Sequence, residues 1–406
     1  MLKASWLECV QLTKDWGSPL MIFHEDKFKA SINRHISAMS SCSPYEIAVP
    51  YKACDLMASC AIASAQNLSA EVSSPEHLEL ALRLRVPGKK IIYNAPYKPI
   101  ATLRKAISAG VRIHIESNEE LKAIAEISKE GDSVARIGIR LSTEEIEPFW
   151  SRFGIHPDSS DYADAIQFIA DNRDHLNLVA MSAHLGTNIQ KPEIYGQLAH
   201  MLNRTAKSVE ATIGYCLDYI DIGGGYPEKS TLHILKEPKI TLFEECISHA
   251  RAAIDSKYRL VIEPGRSLVG DSLSLLTTIR KKKRTAFRQI LTLDGGTNIV
   301  PAIQNTEYTL KCISRFKPKA AVESELFGPL CTQFDVLSVG LDLEEMNVGD
   351  FILISDIGAY SISMYSQFIF GRPNIIVNKN GAWTLLRGKD ELLSKWEKDL
   401  WEGIQL

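Results

Sequence analysis

Along the first two-thirds of the chain, short apolar and β-branched runs alternate with longer stretches whose apolar positions recur at helical spacing. The strand-like runs are Glu46-Ile-Ala-Val-Pro-Tyr, Lys90-Ile-Ile-Tyr, Arg112-Ile-His-Ile-Glu, Ala135-Arg-Ile-Gly-Ile-Arg, Leu178-Val-Ala-Met-Ser-Ala, Tyr219-Ile-Asp-Ile and Leu260-Val-Ile-Glu. Between them lie helical patterns such as Pro99-Ile-Ala-Thr-Leu-Arg-Lys-Ala-Ile and Glu119-Glu-Leu-Lys-Ala-Ile-Ala-Glu-Ile, the second with Asn118 as its predicted N-cap. Strand followed by helix, repeated about eight times over roughly 250 residues, predicts an α/β fold of the (β/α)8 TIM-like barrel kind. A doubly wound open sheet is the main rival.

After about Val269 the texture changes. Strand-like runs come without long helices between them: Ile290-Leu-Thr-Leu, Tyr308-Thr-Leu-Lys-Cys-Ile, Asp335-Val-Leu-Ser-Val, Phe351-Ile-Leu-Ile and Asn374-Ile-Ile-Val. Gly349-Asp350 and Asn380-Gly381 punctuate them as turns between antiparallel strands would. The pattern predicts a barrel over residues 20–268 and a second, β-rich (Greek-key-like) domain built from 1–19 and 269–406.

Composition narrows the function classes without naming one. The chain has 406 residues, 23% of them charged, with a formal net charge of -3, which argues against a broad nucleic-acid-binding surface. No run approaches the roughly 18 apolar residues of a membrane span, and the N-terminus lacks the apolar core of a signal peptide, so a cytoplasmic protein with no membrane partner is expected. The eight cysteines form no Cys-x-x-Cys pair and match no zinc spacing; reduced thiols and no metal site are expected.

Several segments fall where barrel strands should end, the place such barrels keep their active sites. In Val49-Pro-Tyr-Lys-Ala-Cys, Lys52 follows an apolar strand, where desolvation would lower its pKa and favour the neutral amine that Schiff-base chemistry needs. Taken alone, a lysine that snorkels to the surface is the commoner case. His184-Leu-Gly-Thr offers a ring for stacking and the Thr187 hydroxyl for a phosphate, although a structural histidine is the plainer reading. Gly223-Gly-Gly after Tyr219-Ile-Asp-Ile lets backbone amides approach an anion, and it is neither a Walker loop nor Gly-x-Gly-x-x-Gly. In Val261-Ile-Glu-Pro-Gly-Arg-Ser, Glu263 and Arg266 flank a turn; a carboxylate against a pyridine nitrogen keeps it protonated, whereas a surface ion pair would be worth about 0–1 kcal/mol. Phe327-Gly-Pro-Leu-Cys-Thr-Gln-Phe-Asp and Ile357-Gly-Ala-Tyr-Ser-Ile-Ser-Met each read singly as a turn and a strand.

In this order the segments resemble the alanine-racemase-like (fold-type III) decarboxylases of the diaminopimelate and ornithine decarboxylase group. The resemblance runs from about Pro19 to Pro373 through Tyr51-Lys-Ala, Ser151-Arg-Phe-Gly-Ile, His184-Leu-Gly-Thr, Asp221-Ile-Gly-Gly-Gly, Glu263-Pro-Gly-Arg-Ser, Gly328-Pro-Leu-Cys and Gly358-Ala-Tyr. It implies pyridoxal 5'-phosphate as cofactor, with Lys52 as the Schiff-base lysine, His184 stacked on the ring and Glu263 at the pyridine nitrogen. The amides of Gly223, Gly224, Gly225, Gly265 and Arg266, with the hydroxyls of Thr187 and Tyr360, would hold the phosphate. Glu71 stands near the cofactor where an aspartate is usual, and Arg140 supports the site. The resemblance further implies a homodimer with shared active sites, in which Cys331 reaches the partner's site and reprotonates the α-carbon, while Arg266, Thr332 and Tyr360 face the substrate.

Departures from the family pattern bear on the substrate. Thr332 replaces the acidic residue that faces a distal ammonium, and Val300 replaces the arginine that grips a distal carboxylate. His77 stands where a glutamate is usual, and the Ser366-Gln-Phe-Ile-Phe-Gly-Arg-Pro segment lacks the usual asparagine and is one residue longer. The expected function is therefore decarboxylation of a non-standard or conjugated amino acid in siderophore or other specialised biosynthesis. The alternatives are a decarboxylase of free diaminopimelate, ornithine or lysine and, more distantly, a non-catalytic decarboxylase-like regulator.

Overall fold

The computed structural model describes residues 5–147, 152–227, 242–301, 308–316 and 320–391. The chain divides into two compact units, Phe28–Val269 and a second made of Met1–Lys27 with Gly270–Leu406.

In the first unit eight parallel strands close into a barrel: β2 (Tyr45–Pro50), β3 (Ser69–Val72), β4 (Ile91–Asn94), β5 (Arg112–Ile115), β6 (Ala135–Arg140), β7 (Leu176–Ser182), β8 (Tyr219–Asp221) and β9 (Arg259–Ile262). The ring is sealed by β2 pairing with β9, Tyr45 opposite Leu260. Seven of these strands coincide with the predicted runs. The eighth, β3, has no such signal in the sequence, because Ser69-Ala-Glu-Val is short and half polar, yet all four residues are buried. Ala48, Ile92, Val179, Ala180, Tyr219 and Val261 form one buried cluster, as the layered interior of such a barrel requires.

The helices between strands carry their own start signals. The predicted helix after β5 runs Asn118–Glu130, and its N-cap is Ser117, whose hydroxyl accepts the Glu120 N–H at 3.2 Å. Asn118 is thus the first helical residue and not the cap. The helix after β4 spans Ile100–Ser108 with Pro99 at its cap position.

The second unit holds a nine-stranded sheet built on β10 (Leu273–Arg284). Strand β1 (Leu20–Phe23) pairs antiparallel with β10 and parallel with β16 (Asn374–Lys379). Residues 20–27 therefore belong with the sheet, and the barrel unit starts at Phe28, not at 20. The reason is long-range pairing, which no local pattern around Leu20 reports. The first half of β10 is buried and its second half carries Arg280-Lys-Lys-Lys-Arg, so its alternation is masked and the sequence reading passes over it. Strands β11 (Arg288–Leu293), β13 (Ala321–Phe327) and β14 (Val336–Glu344) extend the sheet on one side. Strand β15 (Phe351–Ser355) pairs with β10 and with β12 (Thr309–Ile313). Asn380-Gly381, both at positive φ, turns β16 into β17 (Ala382–Arg387), the predicted hairpin. Gly349-Asp350 also turns the chain, but into a strand that pairs with β10 and β12 rather than β14. The N-terminal helix Trp6–Trp16 lays Cys9 and Leu12 on the core of Leu20, Ile22, Leu276, Phe351 and Ile376.

Candidate active site

The C-terminal ends of the barrel strands gather titratable groups. Lys52 follows β2, and its Nζ donates to Glu71 Oε2 on β3 at 2.5 Å. The backbone makes this meeting, since Pro50 and Glu71 are register partners and the Tyr51 N–H donates to the Glu71 carbonyl. The lysine side chain is 37% exposed while Glu71 is fully buried. The lysine side chain is thus half-buried, with its amine paired to a buried carboxylate. Burial raises the Glu71 pKa to about 7; the nearby Lys52 charge opposes that rise and Glu263 adds to it.

Arg140, at the end of β6, donates from Nη1 to Glu116 Oε1 at 2.8 Å and to Asn94 Oδ1 at 3.3 Å. Its guanidinium lies 4.7 Å from the ring centre of Phe153, and the Gly154 N–H reaches the other Glu116 oxygen. The described part of the Ser-Arg-Phe-Gly-Ile motif thus wraps Arg140; Ser151 falls outside the described residues.

His184 follows β7. Its pKa is held well below the ordinary range, by burial first and then by the charges of Lys52 and Arg140, so the ring is neutral. Nδ1 accepts the Gly186 N–H at 3.0 Å, which leaves the ring proton on Nε2. The glycine run after β8 packs against this ring. A Cβ on Gly223, at φ +67°, would lie 2.9 Å from the His184 ring, and one on Gly224 would lie 2.3 Å from the Glu263 carbonyl oxygen. The Gly223 N–H is already donated to Asp221 Oδ1 at 2.9 Å. Of the three glycine amides expected to hold an anion, this one is engaged elsewhere.

Glu263, directly after β9, is buried, and among the described residues neither carboxylate oxygen has a hydrogen-bond partner. A buried carboxylate without partners is costly, so this one fits a group supplied from outside the chain. Arg266 Nε donates to Thr187 Oγ1 at 3.2 Å, bringing the two predicted phosphate contacts together, with Gly265 immediately before Arg266. His77 Nδ1 lies 3.5 Å from Ser73 Oγ, with its ring edge-on to Tyr51.

Three predicted residues lie in the second unit. Cys331 is an exposed free thiol. Thr332 Oγ1 accepts the Phe334 N–H at 3.3 Å, and Tyr360 sits at φ +68°. Sequence reasoning missed Asp335, which is buried and fastens the loop of Cys331 and Thr332. Its carboxylate accepts from Thr297 N at 2.7 Å, Thr297 Oγ1 at 3.0 Å and Leu330 N at 2.7 Å. Gly296 and Gly328 leave the space it fills, since a Cβ on either would fall within 2.4 Å of a carboxylate oxygen.

Sequence reasoning also passed over polar groups inside the barrel. Arg112 and His114 alternate with Ile113 and Ile115 on β5, and Tyr219 alternates with Asp221 around Ile220 on β8. Period-two polar positions on apolar strands were the available signal. His114 Nε2 meets the Tyr219 hydroxyl at 2.9 Å, and Arg112 pairs with Glu46 beneath them.

A closed parallel barrel with a lysine at the end of one strand, a partnerless carboxylate at the end of another and a glycine cradle between them is the framework of a pyridoxal-phosphate enzyme. Residues 29–270 match the model of the family described as pyridoxal-dependent decarboxylase, pyridoxal binding domain, and the chain belongs to that family. It is 26% identical to the diaminopimelate decarboxylase of Methanocaldococcus jannaschii over 97% of this chain and 93% of that one. It is 25% identical to the diaminopimelate decarboxylase of Mycobacterium bovis over 95% and 92%. Among solved structures, a diaminopimelate decarboxylase from M. jannaschii superposes with a TM-score of 0.89 at 23% identity, covering 97% of this chain and 94% of that one. A lysine/ornithine decarboxylase from Vibrio vulnificus, complexed with cadaverine, gives 0.79 at 20% identity, covering 91% and 97%. This chain is accordingly a pyridoxal-phosphate-dependent amino-acid decarboxylase, a carboxy-lyase. Among the described residues no helix is long and apolar enough to cross a membrane.

Proposed function

We propose that this decarboxylase removes the α-carboxylate of a non-standard or conjugated amino acid, of the kind used in siderophore and other specialised biosynthesis. The observation that carries this reading is the chemistry at Val300 and Thr332. Val300 is apolar and fully buried, and Thr332 offers only a neutral hydroxyl. A distal carboxylate calls for a guanidinium and a distal ammonium for a carboxylate, and neither position provides one.

In this reading Lys52 carries the cofactor, and Glu71 Oε2 holds the lysine Nζ and can take its proton. Pyridoxal phosphate, when bound, supplies the electron sink for loss of the carboxylate. Glu263 keeps the ring nitrogen protonated, and the neutral His184 ring covers one face. Thr187, Arg266 and Tyr360, with the amides of Gly224, Gly225 and Gly265, hold the phosphate, and Arg140 braces the mouth beside Glu71. Arg266, Thr332 and Tyr360 border the substrate. Cys331, reaching a second copy in a homodimer, delivers the proton to the α-carbon.

The test is carbon dioxide release by the cofactor-loaded protein over free diaminopimelate, ornithine and lysine and their citryl or carrier-bound conjugates, with Lys52→Ala as control. Release from conjugates alone supports the proposal. Efficient release from free diaminopimelate and none from any conjugate sinks it. The names of the relatives and the cadaverine complex favour a second reading, a decarboxylase of free diaminopimelate, ornithine or lysine. That reading requires a distal partner from residues other than Val300 and Thr332.

A further inference from the structure

We infer that Asp221 is held as the neutral acid and donates its proton to the Glu263 carboxylate, so that the two side chains share one proton and one negative charge. Asp221 is then a positioning residue for Glu263. The inference rests on the reading of Glu263 as the partner of the cofactor ring.

The geometry points there first. One ring nitrogen of His114 and one carboxylate oxygen each of Asp221 and Glu263 lie within 4.8 Å of one another, and all three residues are buried. Asp221 Oδ1 accepts the Gly223 N–H, while among the described residues Asp221 Oδ2 and both Glu263 oxygens have no partner. A proton on Oδ2 gives one of those oxygens a donor and the other a function, and the Gly223 contact already orients the Asp221 carboxyl for it.

Charge matching points the same way. The neighbouring cations are already paired with other carboxylates: Lys52 with Glu71, Arg140 with Glu116 and Arg112 with Glu46. Lys98, further along, pairs with Glu120. Among the described residues no ion pair reaches Asp221 or Glu263. His114 cannot neutralise them, because burial and then the charges of Arg112, Lys98 and Arg140 hold its pKa well below the ordinary range. Its Nε2 faces the Tyr219 hydroxyl, and His184, the other nearby imidazole, is neutral as well. Arg112 opposes the rise in the Asp221 pKa only in part, being already paired with Glu46. Two adjacent buried carboxylates with no ion pair of their own among the described residues cannot both ionise at a tolerable cost, and one proton between them is the smallest remedy. Consistent with this, the Asp221 pKa is raised well above its usual value, by burial first and by Glu263 next. With one proton retained, the pair presents a single negative charge to one protonated ring nitrogen. Two charges there would overmatch it.

Asparagine reproduces the inferred state of Asp221: its oxygen can accept the Gly223 N–H while its amide donates to Glu263. The experiment compares wild type with Asp221→Asn, Asp221→Ala and Glu263→Gln. In cofactor-free protein near neutral pH, the infrared carbonyl band of a neutral carboxylic acid should be present in wild type and reduced in Asp221→Asn. Identical bands overturn the inference. In cofactor-loaded protein, Asp221→Asn should keep the cofactor absorbance and its retention on dialysis. Asp221→Ala should retain the cofactor about tenfold less well, the worth of one hydrogen bond to a charged group. If Asp221→Asn is as impaired as Asp221→Ala, a negative charge at 221 is required and the inference fails. Unchanged absorbance in Glu263→Gln would instead remove the reading of Glu263, while the infrared comparison still decides the state of Asp221. Because that comparison needs only wild type and the isosteric variant, it stands even if Asp221→Ala does not fold.

Discussion

Lys52, just after β2, and Glu71, on the adjacent parallel strand β3, meet at 2.5 Å, the lysine side chain half-buried and the carboxylate fully buried. Replacing the aspartate usual in the family by glutamate still yields a direct contact, because the β2–β3 register sets Pro50 opposite Glu71. Lys52→Ala should abolish carbon dioxide release and the visible absorbance of the loaded protein, and an absorbance spectrum with a release assay checks both.

Glu71 also sets a pH dependence. Its pKa is raised from 4.5 to about 7, so between those values the folded chain holds a proton that the unfolded chain has released. This contribution to stability is fully present below about pH 4.5 and is lost as pH rises through about 7. In cofactor-free protein the melting temperature of wild type should therefore fall relative to that of Glu71→Gln across this window. Parallel melting curves for the two proteins would contradict the assignment.

Gly224→Ala should damage the anion cradle. Its Cβ would sit 2.3 Å from the Glu263 carbonyl oxygen, a backbone atom with no flexible end to move aside. Overpacking of this kind costs about 1–3 kcal/mol, readable in denaturant unfolding. Cofactor retention on dialysis should fall with it.

Asp335→Ala removes the acceptor of three hydrogen bonds, two that tie the Cys331 loop to Thr297 and one from Leu330 N within the loop itself. Bonds to a charged group are worth about 1.5–3 kcal/mol each and do not simply add, so a loss of about 3 kcal/mol in unfolding free energy is expected. Alkylation of Cys331 should change in rate at the same time. An unchanged rate would mean that the loop is held without Asp335.

Thr332→Asp should move the preference toward free basic amino acids. A new carboxylate facing a distal ammonium is worth about tenfold in relative rate, measured as the ratio of kcat/KM for ornithine over any conjugate that wild type accepts. Val300→Arg should fail to do the same for a distal carboxylate. Position 300 is fully buried, and an unpaired guanidinium there destabilises the fold instead.

Much of the fold was legible because its signals are local. Apolar runs separated by helical periodicity announced seven barrel strands, and Asn380-Gly381 announced the hairpin from β16 to β17, since each depends on residues adjacent in the chain. The order of the motifs around Lys52, His184, the three glycines, Glu263 and Cys331 carried the family in the same way. Tertiary structure decided what neighbours in sequence cannot report. It drew Leu20–Phe23 into the sheet beside β10, made a buried barrel strand of the half-polar Ser69-Ala-Glu-Val, and set Asp335 against the distant Gly296. It also brought His114 on β5, Asp221 on β8 and Glu263 just after β9 together. Periodicity tells which face of an element is turned inward; which side chains share that interior, and so which of them must share a proton, is fixed only when the strands close into a ring.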